Sequence, residues 1–169
     1  MLFRSHAWRS DADGDLFDGE HSGYAKLPEP MCHRRQVYLA RSGQGLVVRD
    51  LLLGSGRHRF ALWLHLASGS AVDVSEETRA AVELHGDAAA EPLRVCGPFG
   101  VDEPSRWWLL QIKRAEGDVV AIRLGGPKDA AVSVERGWVA PSYGVRMEAP
   151  VVTLRWEAAA PTSVTTVVS

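Results

Sequence analysis

Residues 59–66 constrain this chain more than any other stretch, because a large aliphatic or aromatic side chain returns at every second position on one side while the other side is amphipathic. Phe60, Leu62, Leu64 and Leu66 fall on one side; Arg59, Ala61, Trp63 and His65 fall on the other. Period two is the repeat of a pleated strand, whereas a helix would bring apolar residues round at every third or fourth position. Similar alternation recurs over residues 34–40, 46–53, 107–112, 118–124, 131–138, 151–156 and 163–168, several of them rich in Val, Ile, Thr and Trp. Such residues suit a half-buried pleated surface.

Turn signals separate these runs: Ser42-Gly43-Gln44-Gly45, Gly54-Ser55-Gly56, Glu116-Gly117-Asp118 and Gly125-Gly126-Pro127. The short loops between the runs at 34–40, 46–53 and 59–66 argue for an antiparallel meander closed by hairpins. Residues 75–86 are ambiguous between helix and strand, and the alternation of Thr78, Ala80, Val82 and Leu84 tips them towards strand. Residues 11–18 are acidic and loop-like, so 1–19 are expected to be irregular. Two prolines interrupt 23–30, and the alanine runs at 88–90 and 158–160 read as loose connections. Many short strands with little helix specify an all-β fold, an antiparallel two-layer β-sandwich, with an open barrel as the other arrangement. The 169 residues suffice for one globular domain with a sizeable core.

Charge narrows the function. Nineteen basic and 21 acidic residues are interspersed and leave a net charge of -2, so nothing favours nucleic acid or an acidic membrane surface. Arg4, His6 and Arg9 break the apolar run that a signal peptide needs, and no segment approaches the ~18 apolar residues of a membrane-spanning helix. The chain therefore reads as soluble. Cys32 and Cys96 stand far apart, which leaves room for one disulfide but supports neither a disulfide framework nor a zinc site. No two of the six histidines have the close spacing usual for metal ligands. Gly-x-Ser-x-Gly is absent, neither cysteine has a recognisable catalytic setting, and Gly43-Gln44-Gly45 and Gly54-Ser55-Gly56 read as turns rather than phosphate cradles. No metal or cofactor is expected.

Three motifs, in order, carry a family resemblance. Gly23-Tyr24 precedes His33-Arg34-Arg35; Leu46-Val47-Val48-Arg49-Asp50 precedes Gly56-Arg57-His58 and Leu64-His65-Leu66; and Gly137-Trp138-Val139-Ala140-Pro141-Ser142-Tyr143-Gly144-Val145-Arg146 precedes the last strands. Together they resemble the C-terminal β region of heparinase II/III-like polysaccharide lyases, with Ala140 where serine is common. The resemblance runs from about residue 20 to the C-terminus, although 75–128 match only in β character. It implies a β-sheet domain that accompanies an α/α toroid, in enzymes that cleave uronic-acid polysaccharides by β-elimination.

That reaction needs the uronate carboxylate neutralised, a base for the C5 proton and an acid for the leaving oxygen. The family draws most of these groups from the toroid and takes a histidine and zinc ligands from His-x-His and His-Asn-Thr stretches, neither of which is present here. No catalytic or metal residue carries over, so the chain is expected to be inactive alone. Candidate substrate contacts are His33, Arg34 and Arg35, whose guanidinium forks match carboxylate or sulfate, and Tyr143 and Arg146 in a loop after Pro141. For the histidine–arginine cluster the competing interpretation is an edge strand with solvated basic residues. Trp107 and Trp108 must point to opposite faces, and Trp63, Trp138 and Trp156 are weighed towards core or interdomain contacts. The expected partners are an anionic polysaccharide or a toroid domain. The alternative to an accessory lyase domain is a stand-alone carbohydrate-binding module that stacks sugars on exposed tryptophans.

Overall fold

The computed structural model describes residues 2–41, 45–77 and 104–169. Among them there is no helix, and these described residues run through eleven strands. These are β1 (Phe3–Ser10), β2 (Gly14–His21), β3 (Met31–Ala40), β4 (Leu46–Gly54), β5 (Arg57–His65), β6 (Ala71–Glu77), β7 (Arg106–Lys113), β8 (Val119–Gly126), β9 (Ala131–Val139), β10 (Met147–Ala159) and β11 (Thr162–Val168). They form an eight-stranded sheet in the order β1-β2-β3-β4-β11-β8-β7-β6 and a three-stranded sheet in the order β5-β10-β9. All pairings are antiparallel, so the fold is the expected all-β sandwich.

The alternation seen in the sequence builds the core. Phe60, Leu62 and Leu64 of β5 pack with Val152, Leu154 and Trp156 of β10 against Leu110, Leu124, Leu52 and Val164 of the large sheet. Burial of this interface, at roughly 25 cal/mol per Å² of apolar area, is the main term holding the two layers together. The opposite face of the large sheet carries a second buried cluster of Leu16, Tyr38, Val47, Trp107 and Val167. Adjacent Trp107 and Trp108 therefore lie in different cores, as strand geometry requires, at 9% and 6% exposure.

Several local expectations are corrected. The stretch expected to be irregular instead holds β1 and most of β2, which pair from Phe3↔His21 to Ser10↔Asp15, and the meander is β1-β2-β3-β4. Acidic side chains there masked the alternation of Leu16 with buried Asp18, which is stabilised by partners supplied from β3. Gly54-Ser55-Gly56 is not a hairpin turn but a corner, from which the chain leaves the large sheet at β4 and enters the small one at β5. Gly54 (φ 155°) and Gly56 (φ 81°) supply a backbone that other residues rarely adopt. Alanines 158 and 159 belong to β10, and Gly125 and Gly126 to β8. Of the ambiguous stretch 75–86, Ser75 to Glu77 end β6; the rest lies outside the described residues, as do Ser42-Gly43-Gln44, His85 and Cys96. Cys32 is a free thiol.

Candidate functional site

Strand alternation divides the cluster His33-Arg34-Arg35. His33 and Arg35 share the sandwich-facing side of β3 with Met31, while Arg34 points to the other side with Gln36. Arg34 makes a fork-to-fork pair with Asp18, Nε to Oδ1 at 2.7 Å and Nη2 to Oδ2 at 2.6 Å. The Gln36 amide donates to the same carboxylate at 3.0 Å. Burial raises the Asp18 pKa, but these donors outweigh it and hold the carboxyl below its ordinary range.

On the inner side, Asp50 of β4 lies directly opposite Arg35 in the ladder. Arg35 donates to it through Nε at 2.6 Å and Nη2 at 3.1 Å, and His33 Nε2 reaches Oδ1 at 2.6 Å. Burial again raises the pKa, and the His33 and Arg35 donors overcome it, so the net direction is down. His33 continues to His21, its cross-strand neighbour on β2, whose Nε2 is 3.0 Å from His33 Nδ1. The Gly23 N–H donates to His21 Nδ1 at 3.1 Å.

This chain of contacts fixes the tautomers. Because His21 Nδ1 accepts a backbone hydrogen bond, the proton of neutral His21 sits on Nε2 and is donated to His33 Nδ1. His33 must then carry its proton on Nε2, where it is donated to Asp50. Every ring nitrogen has one satisfied role with both histidines neutral. A second proton on His21 would set an N–H against the Gly23 N–H. Burial, the largest cause, lowers the His21 pKa in the same sense, and the nearby Arg35 cation adds to it. One end of the relay is a backbone amide and the other a carboxylate held by Arg35, so it orders strands β2, β3 and β4 rather than moving protons. Sequence spacing missed this pair, since His21 and His33 are twelve residues apart and only the β2–β3 register brings them together.

Tyr143 and Arg146 stand elsewhere, at the corner between β9 and β10. Tyr143 is fully exposed. The Arg146 guanidinium lies over the Trp138 ring, 4.0 Å from its centroid, and Trp138 is 50% exposed. Across the β9–β10 ladder from Trp138 stands Glu148, which pairs at 3.5 Å with Arg136. Among the described residues no carboxylate pairs with Arg146, in contrast to Arg34 and Arg35. A cation over an aromatic face, both open to solvent, can take an anionic group and a sugar ring side by side. Of the three tryptophans weighed towards core or interdomain contacts, Trp156 is in the core, and Trp138 and Trp63 (55% exposed) are not, which leaves the interdomain alternative for those two. Trp63 lies on the side of β5 opposite the core residues Phe60, Leu62 and Leu64, while Trp138 shares its side of β9 with Val132 near the end of the strand. Among the described residues no three His, Cys, Asp or Glu side chains gather in a way that could hold a metal ion. No helix among them is long and apolar enough to cross a membrane.

Two antiparallel sheets with a solvent-facing aromatic–arginine corner define a β-sheet domain of the sandwich class. The chain belongs to the heparinase II/III-like C-terminal family, whose model matches residues 3–166. The fold is similar to that of solved lyases: a structure described as heparinase III has 16% identity and a TM-score of 0.65, the match covering 98% of this chain and 21% of that one. The heparan sulfate lyase HepC from Pedobacter heparinus has 13% identity and a TM-score of 0.61, with the same coverage. This chain spans about a fifth of the length of the solved lyases it matches. No curated protein matches it.

Proposed function

We propose that the chain acts as a single accessory β domain of a polysaccharide lyase that cleaves uronic-acid glycans by β-elimination, and that it has no turnover of its own. In the complete enzyme it would sit beside a catalytic α/α toroid and present the Trp138–Arg146–Tyr143 corner to the anionic glycan. The observation that carries this reading is Arg146 stacked on half-exposed Trp138 with no carboxylate partner among the described residues. Family membership and the heparin- and heparan-directed names of its structural relatives support the substrate class. The other predicted contacts, His33, Arg34 and Arg35, are engaged with Asp50 and Asp18, which favours a structural role for them.

The test is an absorbance assay for the unsaturated uronate product on heparan sulfate and related glycans. The chain alone should give no signal above a protein-free blank. Robust turnover would overturn the assignment of catalysis to groups outside this domain.

A further inference from the structure

Phe60, Leu62 and Leu64 of β5, with Val152, Leu154 and Trp156 of β10, turn one face of the small sheet to the core. Alternation sends Ala61 and Trp63 of β5, Thr153 and Arg155 of β10, and Ser133 and Glu135 of β9 to the opposite face, away from the large sheet. Trp63 is 55% exposed there and its neighbours are low: Ala61 stands beside it, and Thr153, directly across the ladder, is 0% exposed. An indole set among short side chains is open to a flat ring laid against it. Across Thr153, two strands and about 10 Å from Trp63, Arg155 donates to Glu135 and, at 3.2 Å, to the Ser133 hydroxyl, which donates to Glu135 at 3.1 Å. The Arg155 and Glu135 side chains are 48% and 46% exposed. They set donors and acceptors side by side, which suits a sugar hydroxyl, itself both donor and acceptor.

Charge and shape choose the occupant. The carboxylates of this face, Glu135 and Glu157, are held by Arg155 and Arg57, and Arg59 is the surplus cation among its described residues, across the ladder from Glu157 rather than beside Trp63. A polyanion therefore finds little to neutralise it. A protein partner would need a contiguous apolar patch. Here the large exposed apolar side chains among the described residues are Trp63 and, roughly 20 Å along β10, Met147. A pyranose with all its hydroxyls equatorial meets both halves of the surface, its axial hydrogens on the indole and its hydroxyls towards the polar trio. We propose that the outward face of the small sheet is a binding site for a neutral, all-equatorial glycan, with one ring stacked on Trp63 and a linked ring hydrogen-bonded by Arg155 and Glu135. The site is separate from the Trp138 corner, which lies on the other side of β9, and it does not rest on the lyase reading.

Cellotetraose, a β-linked chain of such rings, is titrated into the full chain and followed through the tryptophan indole N–H resonances. A saturable shift centred on Trp63 is expected, with Trp138 unmoved and the affinity unchanged when salt is raised to about 0.5 M. Trp63→Ala, at an exposed position, should weaken binding about tenfold or more with an unchanged circular dichroism spectrum, and Trp63→Phe should recover part of the loss. Glu135→Gln should weaken binding several-fold while the Trp63 shift persists at saturation. Absence of saturable binding would overturn the proposal and return Trp63 to an interdomain contact. Full affinity in Trp63→Ala, or displacement of cellotetraose from Trp63 by a heparan sulfate oligosaccharide, would overturn it as well.

Discussion

Asp50→Ala is the sharpest probe of how the inner face of β3 and β4 is held. Asp50 is 4% exposed and accepts three hydrogen bonds, two from Arg35 and one from His33. Removing one member of a buried ion pair costs about 3–5 kcal/mol when the other charge is trapped. Here the Arg35 side chain is 46% exposed and regains water, so most of its share is recovered. His33 is 19% exposed, and its Nε2–H is left facing an apolar side chain. A lost bond to a charged acceptor is worth about 1.5–3 kcal/mol. The sum is a loss of about 3 kcal/mol, read from urea unfolding with an unchanged slope. The double variant Asp50→Ala/Arg35→Ala should be less destabilised than the two single changes added together, because each removes the same contact. A loss below about 0.5 kcal/mol for Asp50→Ala would refute the claim that the relay orders these strands, since that is the size of an ordinary surface change.

Further outcomes follow from the same geometry. Gly54→Ala should cost about 2 kcal/mol or more in urea unfolding, because the backbone there is at φ 155° and a Cβ would collide with the Pro30 carbonyl oxygen. Leu110→Ala, at a fully buried position, should lose about 2–5 kcal/mol, while Val119→Ala at 63% exposure should stay within about 0.5 kcal/mol. Stability should fall on acidification in two stages, followed by melting temperature against pH. The folded pKa of His21 lies below its ordinary value, so the unfolded chain binds the extra proton first and stability is lost from about pH 6.5 downward. Asp50 and Asp18 are also lowered when folded, so their stabilisation is present above about pH 4 and disappears as pH drops through the folded values. His21→Asn should flatten the first stage and leave the second.

Alternation made the layered fold legible because each strand with one core-facing side must show it, as in residues 59–66, whose Phe60, Leu62 and Leu64 enter the main core. It failed where a polar residue occupies a buried strand position. Asp18, at 2% exposure, reads as part of an acidic loop until Arg34 is seen as its partner. The corner at Gly54-Ser55-Gly56 was equally hidden, since a glycine-rich link fits a hairpin and a change of sheet alike. The basic cluster was legible as chemistry but not as geometry. Period two separates Arg34 from its neighbours, and the carboxylates that meet it and Arg35 come from other strands at sequence distances of 16 and 15 residues. By contrast, Tyr143 and Arg146 follow Pro141 closely, and a local turn leaves them exposed as expected; what sequence did not reveal is that Arg146 folds back over Trp138.

The glycan-facing role of that corner is tested most directly by following the six tryptophan indole N–H resonances while a heparan sulfate oligosaccharide is added. A saturable shift centred on Trp138 is expected, absent from Arg146→Ala, with buried Trp107, Trp108 and Trp156 unmoved. A Trp138 resonance that stays still, or one that shifts equally in Arg146→Ala, would contradict that role.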